Sequence, residues 1–504
     1  MHRMNSSRCR GEAGFREYGF AFAGLLLAVV AARAAGDAEP RLVDLNVVAV
    51  DSRGQPVTDL TAKDFEVTDA GKQRPVVFFR HNGDRLKQSA APGPNEFSNR
   101  GNTAASHTTL ILFDLLNQRF STRGVTANQI VRDLSGMEGT DGLFLYMLTV
   151  DGHLYPVHGL SGAEGEPDRQ GAPPWTGRIK PLMDAAMRAV TRVRPVEIDV
   201  NMRVLMTLNE LDEVAGQLAA LPGRKNIVWI TDGIPIALGA LRSDTGEPID
   251  FTPQLRLLSE QFDRSGVALY PVRQVMLGSP DAMGSGAGSE ATLDELAGLT
   301  GGRPTGSKDI GPAVRQAMSD LRTSYQIGYY TPDESWDGKF HKLRVVCTRK
   351  GVRVQAKTGY YAWAEPTGAK AQRAMAAAVS ANDDAAEIGL RAVLSRPAKQ
   401  LRISVRIDAS DVALARVGER YSGQLRLALA GYMKDGTVST SPIDPLDLDL
   451  SAADRDKALL EGIAFNQDFA LDESLSKIRV VVFDRGSNAV GSVTIPVDGA
   501  GKDR

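Results

Sequence analysis

From Thr108 onward, short apolar runs alternate with amphipathic stretches, and this alternation limits the possible folds more than any other feature of the sequence. The apolar runs are nearly continuous, as expected for strands that are buried on both faces. Between them, apolar side chains recur on one helical face, as in the stretch from Leu208 to Leu218. Repeating strand and helix units predict a parallel sheet. We therefore predict an α/β, Rossmann-like fold with a doubly wound, mostly parallel sheet, whose strands are residues 110–113, 143–148, 227–230 and 267–272.

The sequence before this region predicts a small N-terminal β unit. Residues 42–50 alternate partly between apolar and polar side chains, and a turn signal at residues 51–54 follows them. Further short apolar runs continue the pattern, so we assign residues 41–82 to this unit. Residues 84–107 are rich in Ser, Asn, Pro, Gly and Ala, a composition typical of a linker or a surface loop.

The second half of the chain predicts two more β regions. Residues 324–354 contain alternating strands separated by turn residues, and this block closes the sheet domain, which we place at residues 105–362. Residues 365–384 are polar and rich in Ala, which is typical of a helical or flexible connector. Several later strands, separated by turns, predict a C-terminal Ig-like β-sandwich over residues 386–500. A chain of 504 residues is long enough for several domains that each bury a core.

The N-terminus predicts a secretory signal peptide at residues 1–34. Four arginines precede an apolar run at residues 20–32, which is short for a stable bilayer span. The sequence Ala-Arg-Ala at residues 32–34 then fits the small-x-small pattern before a cleavage site. We therefore expect a protein that is exported to the periplasm or secreted. If the signal is retained, the same segment is the expected membrane anchor.

Composition limits the classes of partner and of metal site. The formal net charge is −2, so there is no overall basic field to hold a phosphate backbone, and we expect no nucleic-acid partner. The two cysteines are Cys9 and Cys347. Because Cys9 leaves with the signal, the mature chain is expected to have neither an internal disulfide nor a zinc site built on two thiolates.

Two acidic residues follow apolar strands, at the positions where open α/β sheets bind their ligands. Asp114 comes directly after the strand at residues 110–113, and Asp232 follows the strand at residues 227–230. Together with Asn117, these carboxylates form a candidate oxygen-ligand site for a hard divalent cation such as Mg²⁺ or Mn²⁺. The alternative is that both acids cap the helices or loops that follow them.

Catalytic motifs are missing from the sequence, so we expect a protein that is not an enzyme and assign no catalytic residue. No G-x-S-x-G nucleophile elbow and no H-E-x-x-H zinc motif occur. The glycine-rich stretch at residues 284–288 has neither the lysine of a phosphate loop nor the spacing of a dinucleotide fingerprint, and we assign no organic cofactor.

Several stretches resemble the von Willebrand factor type A (VWA) related family of exported bacterial proteins, of the acidobacterial type. The strand that ends in Asp114 and the Thr-Asp-Gly sequence that contains Asp232 resemble the two ends of the metal-ion-dependent adhesion site of VWA domains. Other similar stretches resemble the N-terminal block, the approach to the central strand, a Thr-Gly-Gly turn and the closing β block of the family. They are residues 57–67, 221–228, 299–303, 325–330 and 358–362.

The resemblance implies a VWA-type domain that binds proteins, with a degenerate adhesion site. The usual site reads Asp-x-Ser-x-Ser, whereas Leu116 and Gln118 stand where the serines belong. The distal threonine has no clear match, and Asp199 and Asn201 lie near its place. The expected function is adhesion to an unidentified protein ligand in the cell envelope or outside the cell. The alternatives are an envelope scaffold without a metal site and a metal-assisted hydrolase that uses Asp114 and Asp232.

Overall fold

The structure is a computed structural model, and it describes most of the chain after the predicted signal peptide. Residues 1–34, and therefore the signal prediction, lie outside the described residues. Among the helices that are described, none is long and apolar enough to span a membrane. The described residues are 41–81, 96–99, 108–138, 140, 142–160, 174–190, 199–219, 221, 224–234, 250–274, 286–303, 309–331, 336–362, 369–381, 384–385, 387–396, 400–417, 419–470, 472 and 474–497.

The N-terminal β unit and the closing β block form two four-stranded sheets that share one hydrophobic cluster. One sheet has the order β13-β1-β11-β4, with β1 (Arg41–Val50), β4 (Phe78–His81), β11 (Tyr325–Thr331) and β13 (Arg353–Gln355). The other has the order β14-β12-β2-β3, with β2 (Phe65–Asp69), β3 (Lys72–Arg74), β12 (Phe340–Cys347) and β14 (Gly359–Tyr361). In β2 every second side chain is buried, as the pleat of a half-exposed strand requires.

A five-stranded sheet lies at the centre of the sequence, and the four apolar runs predicted above are among its strands. Its order is β10-β9-β6-β7-β8. Strands β10, β9, β6 and β7 run parallel, and β8 is antiparallel to β7. The strands are β6 (Thr108–Asp114), β7 (Leu143–Leu148), β8 (Leu154–His158), β9 (Lys225–Thr231) and β10 (Val267–Arg273).

Helices cover both faces of this sheet, which explains why β6 and β9 are buried along their whole length. Ile111 and Phe113 belong to the hydrophobic cluster on one face, together with α1 (Phe120–Leu134), α2 (Ile179–Val190) and α6 (Ile310–Thr323). Leu110 and Leu112 belong to the cluster on the other face, with α3 (Val200–Ala219), α4 (Thr252–Ser265) and α5 (Gly286–Thr300).

The Thr-Gly-Gly turn after α5 holds the end of that helix against the sheet. The Thr300 hydroxyl accepts a hydrogen bond from the backbone N–H of Leu269 in β10 at 3.0 Å. A Cβ at Gly302 would lie 1.9 Å from the Leu269 carbonyl oxygen, so only glycine fits this close approach. Gly301 has a φ of 73°, a conformation that glycine adopts without strain. The motif is therefore required by the packing of α5 on β10.

The C-terminal region contains two antiparallel sheets that share another hydrophobic cluster. One has the order β20-β16-β15-β5, with β5 (Glu96–Ser98), β15 (Leu390–Ser395), β16 (Gln400–Ile407) and β20 (Ile463–Ala470). The other has the order β17-β18-β21-β22, with β19 also paired to β18. Its strands are β17 (Ala415–Val417), β18 (Arg420–Met433), β19 (Val438–Leu450), β21 (Leu475–Asp484) and β22 (Val490–Pro496), and the region also contains α7 (Ala369–Ser380) and α8 (Ala452–Glu461).

The predicted fold class, an α/β fold with a doubly wound, mostly parallel VWA-type or Rossmann-like sheet, is wrong. The described residues are strand-rich, with 40% strand against 34% helix, and most of their sheets are antiparallel. In the described part of the chain four of the five sheets are antiparallel throughout, and the fifth is mixed. The fold class was named after the continuous apolar runs of strands that are buried on both faces. Antiparallel strands, which leave a weaker signal when one face is exposed to solvent, outnumber them in the described part of the chain.

Candidate functional site

The candidate site lies at the carboxyl ends of β6 and β9, which are neighbours in the central sheet. We call this edge the crest and define it as residues 114–119 and 231–234. Asp114 is the last residue of β6, and Asp232 directly follows β9. Parallel strands end at the same edge of a sheet, so the fold brings these two parts of the sequence together as the sequence predicted.

The carboxylate of Asp114 is fully buried and accepts four hydrogen bonds. One oxygen accepts from the backbone N–H of Asn117 at 2.9 Å. The other accepts from the Asn117 side-chain amide at 2.8 Å, from Trp229 Nε1 at 3.1 Å and from the Thr231 hydroxyl at 2.8 Å. Burial raises the pKa of Asp114 although these hydrogen bonds oppose the shift. Asp114 therefore ties β6 to β9.

Asn117 connects this network to helix α3. Its amide nitrogen donates to the Asp114 carboxylate and to the Thr207 hydroxyl, both at 2.8 Å. The Thr207 hydroxyl in turn donates to the backbone carbonyl of Arg203 at 2.8 Å. Thr207 is fully buried, and nothing in its sequence context marked it as a site residue. The crest thus receives a threonine from α3 that the sequence did not predict.

Asp232 is joined to the same loop by one long hydrogen bond. Its Oδ2 accepts from the backbone N–H of Arg119 at 3.3 Å. Its Oδ1 is buried and has no hydrogen-bond partner in the described part of the structure. Burial raises the pKa of Asp232 to about 6, and the nearby Asp114 charge adds to the shift, whereas Arg119 and Arg273 oppose it. Asp232 therefore changes charge close to neutral pH.

Three acceptor oxygens at the crest lack a donor among the described residues. They are Asn117 Oδ1, Gln118 Oε1 and Asp232 Oδ1. Asn117 and Gln118 are 8% and 3% exposed, so water has little access to their side chains. Because a buried acceptor without a donor costs about 1–3 kcal/mol, three of them in one short loop and its neighbour need an explanation. The arrangement is suited to a ligand that donates hydrogen bonds or supplies positive charge.

The predicted divalent-cation site fits these contacts only in part. Oδ2 of Asp114 accepts three hydrogen bonds and Oδ1 accepts one, so an ion bound to Oδ2 would have to displace a donor. Asp232 Oδ1 and Asn117 Oδ1 have no donor among the described residues and could bind Mg²⁺ or Mn²⁺ without such a loss. No group of three or more His, Cys, Asp or Glu side chains suited to a metal occurs in the described residues.

The other positions from the family resemblance have structural contacts. Leu116, which stands at a serine position, is buried in the hydrophobic cluster under α3. Asp199 lies just before α3, where its carboxylate accepts from the backbone N–H groups of Asn201 at 3.0 Å and Met202 at 3.4 Å. This is the contact of a residue that caps a helix N-terminus. The residue that α3 contributes to the site is therefore Thr207, and not a residue at 199–201.

An exposed aromatic side chain lies beside the crest. Phe120, the first residue of α1, is 78% exposed. The Arg123 guanidinium lies 5.9 Å from the centre of its ring and also donates to the backbone carbonyl of Gln118, at 3.1 Å from Nη2. Through this hydrogen bond, Arg123 fixes the loop that contains Gln118 next to Phe120. Phe120 is thus an exposed apolar side chain next to the buried acceptor oxygens of the crest.

The raised pKa of Asp232 predicts a pH-dependent stability difference between the wild type and Asp232→Asn. An acid with a raised pKa stabilises the folded state below its ordinary pKa of 3.8, and this contribution is lost as the pH rises through about 6. Asparagine keeps the shape but does not titrate. Urea unfolding between pH 4 and pH 7.5 should therefore show the variant gaining stability relative to the wild type as the pH rises.

The control for this experiment is Asp250→Asn. Hydrogen bonds from Thr252 lower the pKa of Asp250 below 3.8, so its contribution to stability changes only at more acidic pH, and the difference between the wild type and Asp250→Asn should stay flat between pH 4 and pH 7.5. A wild type and an Asp232→Asn variant with parallel pH profiles would contradict the assignment of a raised pKa to Asp232.

Comparison with known proteins gives no family for this chain. No known protein family matches the sequence, and no curated protein matches it. Among the solved structures with some similarity is a hypothetical protein from Pyrococcus horikoshii OT3. It is 10% identical, with a TM-score of 0.15, over 21% of this chain and 86% of that chain. A similarity at this level carries no argument about fold or function.

Proposed function

We propose that this protein is an exported, non-catalytic binding protein that engages a protein partner through the crest. The observation that carries the proposal is the set of three acceptor oxygens without a described donor, beside the exposed ring of Phe120. These oxygens are buried, so a partner's donors reach them only after a local shift of the loop, and such a partner then recovers the free energy lost by the unpaired acceptors. An exposed aromatic residue at the edge of such a site is a typical anchor for a protein interface.

The residue types at the crest favour binding over catalysis. The crest contains no serine, cysteine, histidine or lysine, which are the usual nucleophiles and bases. The hydroxyl of Thr231 donates to Asp114, which positions a strand end. The resemblance to exported VWA-related proteins points in the same direction, and the signal-like N-terminus supports export.

Two modes of binding are compatible with the crest. In the first, donors on the partner bind the free oxygens directly. In the second, Mg²⁺ or Mn²⁺ held by Asp232 and Asn117 bridges to a carboxylate of the partner. The first mode is favoured because the Asp114 carboxylate already accepts four hydrogen bonds, which leaves few protein oxygens for an ion.

The test is capture of partners from envelope extract of the native source on the immobilised full-length protein, with and without a chelator. Phe120→Ser and Asp232→Ala should each weaken binding of a genuine crest partner by about 5–30-fold, the loss expected for an interface residue that contributes 1–2 kcal/mol. The matched control is Leu257→Ser, which removes a side chain that is 64% exposed on α4, and it should bind like the wild type.

The outcomes separate the alternatives. Chelator-insensitive capture that needs Phe120 and Asp232 supports direct donors, and chelator-sensitive capture supports a bridging ion. Equal capture by the wild type and by both crest variants would contradict the proposal and would favour an envelope scaffold that acts through another surface.

A further inference from the structure

A short segment from the N-terminal half of the chain completes a sheet of the C-terminal half. Strand β5 lies at the outer edge of its sheet and pairs antiparallel with β15, where Phe97 is opposite Ala392 and Ser98 is opposite Arg391. The segment falls within residues 84–107, which the sequence predicted to be a linker. About 290 residues separate it from its partner strand in sequence. We call residues 96–99 the clip.

Asn99 is the polar anchor of the clip. It is 4% exposed, and its side-chain amide donates to the backbone carbonyls of Ala385 at 2.6 Å and Ile388 at 2.8 Å. Its side-chain oxygen accepts from the backbone N–H of Leu390 at 2.8 Å, and its own backbone N–H donates to the carbonyl of Leu390 at 3.3 Å. All the groups that form these hydrogen bonds with Asn99 are backbone atoms, so the fold holds them in place and no particular side chain is needed.

The remaining contacts of the clip are apolar and ionic. Phe97 packs against the hydrophobic cluster shared by the two C-terminal sheets. The Glu96 carboxylate lies 3.4 Å from the Arg391 guanidinium, and both side chains are half-buried. The clip therefore binds through strand pairing, one aromatic side chain and one buried asparagine. Strand addition of this kind, with pockets for alternate side chains, is how proteins bind extended peptides.

We propose that the edge of β15, together with the carbonyls of Ala385 and Ile388, is a peptide-binding groove that the clip occupies in this chain. The partner it fits is an extended segment with an aromatic residue two positions before an asparagine. Because the clip belongs to the same chain, it competes at an effective concentration of about millimolar. The groove is therefore autoinhibited, and a partner enters only when the clip is weakened or the partner binds more tightly.

The test uses the full-length protein and a labelled peptide, Gly-Glu-Phe-Ser-Asn-Gly, in fluorescence anisotropy titrations. Asn99→Ala removes the polar anchor of the clip and should raise the affinity for the peptide at least about tenfold over the wild type, since three side-chain hydrogen bonds are lost from the competing segment. A peptide with alanine in place of asparagine should bind this variant at least about tenfold more weakly. The matched control is Asn466→Ala, at an exposed asparagine on β20, the opposite edge of the same sheet, and it should behave like the wild type.

A second variant protects the test against misfolding. Glu96→Arg places two like charges at the Glu96–Arg391 contact and weakens the clip without touching the buried asparagine. A folded Asn99→Ala or Glu96→Arg protein that does not bind the peptide would overturn the proposal. So would equal binding of the peptide that lacks asparagine. A concentration-dependent dimer of the wild type that dissociates in Asn99→Ala would assign the groove to the clip of a second copy and would also overturn it.

Discussion

Replacing Asp114 by alanine should lower the free energy of unfolding of the central sheet region by about 3 kcal/mol, since several buried hydrogen-bond donors lose their acceptor at once. The backbone N–H of Asn117 and the indole N–H of Trp229 both point at the Asp114 carboxylate and are buried. The Thr231 hydroxyl loses its acceptor as well. The variant also separates the ends of β6 and β9, so hydrogen exchange should accelerate in both strands.

The pH dependence distinguishes this effect from simple loss of packing. The folded protein raises the pKa of Asp114 above 3.8, so the stability that this residue contributes is largest in acid and is lost as the pH rises through the folded-state pKa. The loss of stability in Asp114→Ala should therefore be larger near pH 4 than at pH 7.

Asp114→Asn keeps the shape and one acceptor, so its loss of stability should be smaller than that of Asp114→Ala. Asp294→Ala, at an exposed position on α5, is the control and should change stability by less than about 0.5 kcal/mol. Unchanged exchange in β6 and β9 of Asp114→Ala would contradict the role given to this carboxylate.

The sequence predicts the parts of this fold that are buried on both faces. Residues 110–113 and 227–230 lie within β6 and β9. Their unbroken apolar runs are typical of strands that helices cover on both faces of a sheet. Strands of three residues are a different case. β5 and β17 are too short to show any period, and the pairing of β5 depends on a distant part of the chain. The fold class was wrong because most strands of the described residues belong to antiparallel sheets.

The candidate site could be predicted where it depends on strand ends and not where it depends on helix packing. Asp114 and Asp232 were found because acids that follow parallel strands meet at one edge. Trp229 was recognised as a strand residue, but its hydrogen bond to Asp114 follows from the register of β6 and β9. Thr207 lies in the middle of a helical pattern, and only the packing of α3 on the sheet brings it to Asn117.

Replacing Arg479 by methionine should destabilise the C-terminal region by about 3 kcal/mol, because several backbone carbonyls lose their donor at once. Arg479 is 2% exposed. Its Nη1 donates to the carbonyls of Ala378 at 2.9 Å and Ala381 at 2.5 Å, at the end of α7. Its Nε donates to the Thr494 hydroxyl at 2.7 Å and lies 3.3 Å from the Asp384 carboxylate. A cation at a helix C-terminus satisfies carbonyls that have no partner within the helix.

The expected consequence is the release of α7 from the sheet that contains β21 and β22. The predicted connector at residues 365–384 includes this helix, and its small buried face, with Ala371 and Ala378, offers little apolar area to hold it without Arg479. Limited proteolysis should therefore cut residues 369–384 of Arg479→Met much faster than those of the wild type. Hydrogen exchange should accelerate in the same residues while β6 and β9 stay protected.

Arg402→Met is the matched control because it removes an arginine from the same region and leaves no buried group without a hydrogen-bond partner. Arg402 is exposed and binds Asp468 on the neighbouring strand, with Nε–Oδ1 and Nη2–Oδ2 distances of 2.7 Å. An exposed pair of this kind contributes about 1 kcal/mol or less. Arg479→Lys keeps the charge but cannot reach the carbonyls and the Asp384 carboxylate together. Its loss of stability should therefore lie between those of Arg479→Met and Arg402→Met. If Arg479→Met and Arg402→Met were cut at the same rate within α7, the helix would be held by its apolar face and not by the buried guanidinium.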